Sequence, residues 1–434
     1  MRNTRVLLVL ALLFFLGVPG LGLLNVLHRP LDFRDYHTVY ADAQSLVQGY
    51  DPYLDRQTQI DQAAERAKGM VGPLPRPGNW LMAQYPPPSL AYFVPLSYLP
   101  WKASLATWLI ISTILFGLAA FSVLNLYEAN ASLWPQLLLV VFVAGSIGLP
   151  RQGQPSTAAI SLAVIAMCSF IKNRRIGLGA CCLALAITLK PQVAILFLPY
   201  MFFMGSRLRK YALAVIAMVA VFSIPGFLLI HWNPASGNWL GEMLTNIRLA
   251  GTNGLINDPA PANVDSQSLM ETDTIFYTFI RSAHVATILT EAFCGCLLLV
   301  FALLLLRTRT GFTRDRLGVA TLSVLSLLPL HHRAYDIGIL ILIFPALDWL
   351  TRQSSVLKYI STAMTLGVII LSHYPLPHIL HVSYGSVASV GLIRFLLVFR
   401  TMALFLVALS LFFLMILGLW SRRRLPGENL QITP

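Results

Sequence analysis

Apolar residues in this chain fall in long uninterrupted blocks, without the alternation or the single stripe that marks elements facing water. LLVLALLFFLGVPGLGLLNVL near the start and TMALFLVALSLFFLMILGLW near the end can each cross a bilayer, which takes about 20 helical residues. The same pattern predicts spans over 6–27, 103–125, 133–150, 155–171, 211–230, 284–306, 316–330, 336–350, 356–372 and 397–420. Two shorter apolar pieces, 176–190 and 191–204, predict a hairpin with Lys190 at its tip. Tyr85-Pro86-Pro87-Pro88 and Arg394 predict interfacial helices over 86–100 and 379–396. The fold class is thus all-α, a polytopic integral membrane protein of about 12 transmembrane helices in one domain over 1–434. The first block is longer than the roughly 7–15 apolar residues of a signal peptide and lacks a small-x-small cleavage site, so it reads as a retained helix.

Composition agrees. The chain is 56% hydrophobic and 11% charged, against about 25% charged in soluble domains. Its net charge of +13 does not point to nucleic acid, because the cations gather in short links between apolar blocks: Lys172–Arg175, Arg207–Lys210, Arg307–Arg316 and Arg422–Arg424. That asymmetry marks cytoplasmic loops. It leaves 28–102 and 231–283 as large segments on the periplasmic side of the inner (plasma) membrane. The five cysteines all lie inside apolar blocks, where they read as packing residues and form neither a disulfide framework nor a metal site.

In this topology the polar residues of chemical interest collect on the outer side. They are Asp32, Asp35, Tyr85, Arg151, Gln154, Lys190, Gln267, His331, His332, Arg333 and Asp336. Ionisable groups at the membrane boundary cost several kcal/mol unless paired or hydrated, and so mark function by default. Asp35 can act as a general base on a hydroxyl, or it and Asp32 can simply solvate the end of the first helix. Arg151, Lys190 and Arg333 suit a phosphate, with interfacial anchoring by snorkelling as the simpler reading of Arg151. Lys190 interrupts an apolar hairpin and must point into something polar. The His331-His332 pair has no zinc-ligand context and can bind phosphate, assist proton transfer or cap helix ends, with Asp336 orienting either ring. No Walker loop, dinucleotide fingerprint or nucleophile elbow is present.

Four segments resemble glycosyltransferase family 87, the polyprenol-phosphate-mannose-type enzymes of the GT-C fold. They are the run from Asp35 through Tyr40 to Gly49-Tyr50-Asp51-Pro52-Tyr53; Tyr85-Pro86-Pro87 with Pro95-Leu96, Leu99-Pro100, Ala103 and Trp108; Gly153-Gln154 with Lys190-Pro191; and Leu328-Pro329 before the histidine turn. The resemblance implies Asp35 as catalytic base. It also implies that Lys190 and Gln154 line the outer cavity; with the charge reading of Arg151 and Arg333 and the turn of His331 and His332, these are the residues expected at the donor phosphate and sugar, supported by Asp32, Tyr53, Tyr85, Gln267 and Asp336. It implies an inverting transfer of a hexose, commonly mannose, from a polyprenyl-phosphate sugar to a lipid or glycan acceptor, without cofactor or metal. A lipid or sugar transporter is the rival from another class; it predicts internal repeats and broken helices at mid-membrane, whereas no repeat is visible and the polar residues lie at one face. A relative using an arabinose or aminoarabinose phospholipid donor stays open as well.

Overall fold

The computed structural model describes residues 33–54, 83–127, 133–146, 153–250, 269–308, 311–329, 332–350 and 401–416, with single residues at 6, 9, 10, 257 and 367. Among the described residues there is no strand, only one isolated antiparallel bridge between Leu269 and Arg333. The helices are α1 (Arg34–Val47), α2 (Pro87–Ala91), α3 (Val94–Ser97), α4 (Trp101–Leu124), α5 (Leu133–Gly145), α6 (Ser156–Ile171) and α7 (Ile176–Leu189). There follow α8 (Pro191–Ala194), α9 (Phe197–Met204), α10 (Ser206–His231), α11 (Trp239–Ala250), α12 (Thr272–Ile280), α13 (Ala283–Arg307) and α14 (Phe312–Leu325). A 3-10 segment, Ala334–Ile343, runs into α15 (Phe344–Leu350), and α16 covers Thr401–Ile416.

Three described helices are long and apolar enough to cross a membrane: Trp101–Leu124, Leu208–His231 and Ala283–Arg307. At 1.5 Å per residue each reaches about 36 Å, enough for a hydrocarbon core of roughly 30 Å. Their outer faces are apolar and exposed, with Leu213, Ile216, Ile224 and Phe227 on α10 and Ile288, Leu299, Leu303 and Leu306 on α13. Such stripes would be costly in water and suit lipid. Helices α6 and α7 are shorter, and their residues are largely buried on all sides at the centre of the bundle.

Two glycines permit close approaches that position the outer layer. Gly226, just after Pro225 within α10, has no Cβ to meet the backbone of Pro87 and Pro88, so α10 lies directly against α2. Gly153 has φ +65°, and a Cβ there would sit 2.6 Å from the Cβ of Tyr36. Only glycine fits both demands easily.

The interfacial reading of 86–100 corresponds to the short helices α2 and α3. The basic turn Lys172–Arg175 is exposed, with Asn173 and Arg175 at positive φ. The Arg307–Arg316 link needs correction. Arg314 and Arg316 lie within α14 and are buried, Arg316 to 2% exposure. Arg314 donates to the Phe203 carbonyl and Arg316 to the Leu126 carbonyl, both at helix C-terminal ends where cations are favoured. The packing reading fails for Cys296, which is exposed, while Cys168, Cys182 and Cys294 are buried. The predicted span 336–350 begins as a ten-residue 3-10 segment, longer than the three or four residues usual for that geometry. The expected elements over 6–27, 356–372 and 379–396 lie essentially outside the described residues.

Candidate functional site

The site begins where α7 ends. Pro191 cannot donate a backbone hydrogen bond and forces the residue before it out of the helical region. Lys190 accordingly sits at φ −152°, ψ 87°, between α7 and α8. Its ammonium is buried, 3.0 Å from Oδ1 of Asp336, and donates also to Oγ of Ser156 at the start of α6. It lies 5.1 Å from the centre of the Tyr335 ring, within cation–π range.

Asp336 gathers donors on both oxygens. Its Oδ2 is 3.0 Å from Nδ1 of His332 and accepts the Arg333 backbone N–H at 3.3 Å. Buried charges must be paired and hydrogen-bonded to be tolerated, and Asp336 meets that condition through Lys190, His332 and the Arg333 amide. His332 is fully buried, and its Nε2 has no hydrogen-bond partner among the described residues. The segment is pinned from a second side, since Met270 N–H donates to the His332 carbonyl at 2.8 Å. The Arg333 guanidinium reaches Oδ1 of Asn257 at 3.1 Å.

Helix α1 supplies the acidic wall. Phe33, Tyr36, Val39, Tyr40, Ala43 and Leu46 recur at helical spacing and are buried, which fixes the rotation of the helix. Tyr36 stacks on Trp108 at 6.1 Å, and its hydroxyl pairs with Ser104 Oγ at 2.7 Å. Trp108 in turn donates to the Gly153 carbonyl at 2.8 Å. Asp35, half-buried, stands in the first turn.

Tyr85 joins the walls. Its hydroxyl donates to Oε1 of Gln154 at 2.7 Å, and its carbonyl accepts from the Tyr53 hydroxyl at 2.8 Å. Burial pushes the Tyr85 phenol well above its ordinary pKa, reinforced by Asp35, Asp336 and Asp42 and opposed by Arg333. It therefore stays a protonated donor at neutral pH. Asp35 is also the leading charged neighbour of Tyr335. The carboxylate of Asp35 and the Lys190–Asp336–His332 cluster thus act on the same pair of phenols. Below them Asn246 ties the Tyr53 and Ala83 carbonyls at 2.9 and 3.1 Å. A groove of about 520 Å³ opens at the C-terminal end of α10, between Ile224, Phe227, Asn233 and Trp239. Its Trp239 ring is 6.2 Å from that of Tyr53.

Of the residues expected from sequence, Asp35, Tyr85, Gln154, Lys190, His332, Arg333 and Asp336 converge, with Tyr53 as support beneath Tyr85. Asp32, Arg151, His331 and Gln267 lie outside the described residues. Sequence reasoning missed Ser156, Asn246 and Asn257, and named Tyr335 within the His331–Asp336 turn without giving it a role. Ser156 carried a faint signal as a hydroxyl two residues after Gln154 at a helix start; the two asparagines carried none.

No curated protein and no solved structure matches the chain. The family model of glycosyltransferase family 87 matches residues 83–331, a stretch that holds Tyr85, Gln154 and Lys190 and stops just short of His332. That is more than half of the 434 residues, and with the all-helical, span-bearing architecture it means that the chain belongs to glycosyltransferase family 87, a family of membrane glycosyltransferases.

Proposed function

We propose that this transferase moves a hexose, mannose in the first instance, from a polyprenyl-phosphate sugar to a hydroxyl of a lipid or glycan acceptor on the periplasmic side of the inner membrane. One observation carries the reading: Asp35 and the buried Lys190–Asp336–His332 cluster share Tyr85 and Tyr335 as neighbours. A carboxylate and a buried cationic cluster thereby act on the same two phenols.

The chemistry is an inverting displacement. The acceptor O–H gives its proton to Asp35 as its oxygen bonds to the anomeric carbon. The bond from that carbon to the phosphate oxygen breaks, the electron pair leaves with the lipid phosphate, and a β-linked donor yields an α product. Charge on the departing phosphate is met by preorganised donors: the Arg333 guanidinium and Lys190, whose charge Asp336 partly balances, with the His332 ring beside them. Positioned donors of this kind stabilise a leaving group without reorganising during the reaction. The apolar groove beside Trp239 suits the hydrocarbon of a lipid substrate.

The test is a transfer assay on the purified full chain with polyprenyl-phosphate mannose, polyprenyl-phosphate arabinose and a nucleotide-linked mannose as separate donors. Turnover with the first alone is expected. Turnover with only the nucleotide sugar would overturn the lipid-phosphate reading.

A further inference from the structure

We propose that Asp42 forms a hydroxyl-binding subsite of the transfer site, holding a sugar hydroxyl of donor or acceptor through a carboxyl group distinct from that of Asp35. The inference rests on the functional reading above and adds a residue to it. Asp42 follows Asp35 by seven positions on α1, about two turns and roughly 10 Å along the axis, and on the same side. With Thr38 and Ser45 these residues make a polar stripe at positions 35, 38, 42 and 45. The stripe runs beside the apolar stripe of Tyr36, Val39, Ala43 and Leu46 that seats the helix.

Asp42 is 8% exposed, and its Oδ2 has no hydrogen-bond partner among the described residues. A buried polar atom in that state is rare in native proteins unless a ligand or water completes it. The groups that sense its charge are Tyr53 and Tyr85, and both phenol protons are engaged elsewhere, on the Tyr85 carbonyl and on Gln154. Asp42 therefore lies within electrostatic reach of the phenol that Asp35 and Asp336 also influence, with an oxygen still available.

The chemistry of that oxygen selects its ligand. Burial drives the carboxyl well above its ordinary pKa, which favours the neutral acid, a group with one O–H donor and one acceptor oxygen. A neutral acid pairs with a hydroxyl, which also donates and accepts. It offers a phosphate none of the charge assistance that Arg333 and Lys190 offer. Asparagine carries the same donor and acceptor pair. Asp42 should therefore tolerate the amide that Asp35, as a base, cannot.

The experiment measures kcat and KM for wild type, Asp42→Asn and Asp42→Ala as purified full chains. One arm uses polyprenyl-phosphate mannose and its 2-, 3-, 4- and 6-deoxy forms as donors, with methyl α-mannoside as acceptor. The other arm uses the parent donor with the corresponding deoxy acceptors. Elution profile and thermal unfolding accompany each variant, and Asp42→Asn provides the shape-conserving control. We expect Asp42→Ala to lose about 10- to 100-fold in kcat/KM, mostly through KM, and Asp42→Asn to stay within about threefold of wild type. For one hydroxyl the deoxy substrate should show no further loss with Asp42→Ala, and the arm in which this happens identifies donor or acceptor. Equal losses across every deoxy form in both arms, or no loss at all, would overturn the subsite. If wild type uses no polyprenyl-phosphate sugar, the function proposed above fails instead, and the two failures are distinct.

Discussion

Lys190 and Asp336 are 146 positions apart in the chain, yet their side chains meet at 3.0 Å in a buried ion pair. The contact closes the break after α7 onto the start of the 3-10 segment, and so fixes two of the site's walls relative to each other. Removing one partner of such a pair leaves an uncompensated buried charge, which costs about 3–5 kcal/mol, whereas replacing both can be nearly neutral. Lys190→Met and Asp336→Leu should each lower the unfolding midpoint of the purified protein, and the double variant should recover most of the loss. Additive losses in the double variant would show that the pair is not a unit. In kinetics, the phosphate contact proposed for Lys190 predicts that Lys190→Ala raises the donor KM more than it lowers kcat, because such a contact would be made in the ground state.

Gly153 offers a local test of how the Gln154 wall is built. With φ +65° and the Tyr36 Cβ 2.6 Å from any added methyl, Gly153→Ala should cost on the order of 1–3 kcal/mol from backbone strain and displacement of Tyr36. Activity should fall with it, because Tyr36 carries the helix that holds Asp35. A fully active, equally stable Gly153→Ala protein would mean that α1 is seated otherwise.

Asp51 makes a pH prediction. Burial pushes its carboxyl from the ordinary value near 3.8 up to about 6, against the hydrogen bond from Tyr53 N–H and aided by Glu242. An acid whose folded pKa is raised binds its proton more tightly in the folded state. Stability therefore falls as pH rises from about 4 to about 6 and levels off above. Asp51→Asn, which keeps the acceptor for Tyr53 N–H, should flatten that slope and raise the unfolding midpoint at pH 7. An unchanged slope would assign the pH dependence to other groups.

The charge asymmetry of the links predicts a topology. Single cysteines placed in a cysteine-free background at Gly237 and Arg174, both exposed, should report opposite sides. An impermeant thiol reagent added outside intact cells should modify position 237 and spare 174 until the membrane is opened. Modification of 174 from outside would invert the orientation and move the proposed site to the cytoplasm.

Much of the fold was legible in the sequence because bilayer-crossing helices announce themselves by length and uniform apolarity; α4, α10 and α13 follow the predicted spans closely. Tyr85, Gln154 and Lys190 were legible for a related reason, since a proline run or a lone cation at the boundary of an apolar block needs a polar destination. The pairings were not. A cation in a basic run reads as solvated, yet Arg316 reaches back to the Leu126 carbonyl, 190 positions away, and only the folded packing decides between water and a helix end. The 3-10 geometry of Ala334–Ile343 was hidden as well, because an apolar run of isoleucine and leucine is compatible with either helix. Nothing in the sequence singled out Asp42, whose burial only the folded helix reveals.

Asp35→Asn is the decisive variant for the mechanism. The amide keeps the size and hydrogen-bonding reach of the carboxylate but cannot take the acceptor's proton. Loss of a general base typically costs about 10²–10⁴-fold, and the loss should fall on kcat while donor binding persists. Unfolding should be little changed, because Asp35 is half-buried on the rim of the site and takes no part in the Lys190–Asp336 pair. Asp32→Asn, three positions earlier, serves as control and should retain most activity. If the control loses transfer and Asp35→Asn does not, the base has been assigned to the wrong carboxylate. If neither variant matters while wild type turns over polyprenyl-phosphate mannose, neither Asp32 nor Asp35 is the base. The proton would then have to leave through another group of the cluster, with Nε2 of His332, unpartnered among the described residues, the first to test.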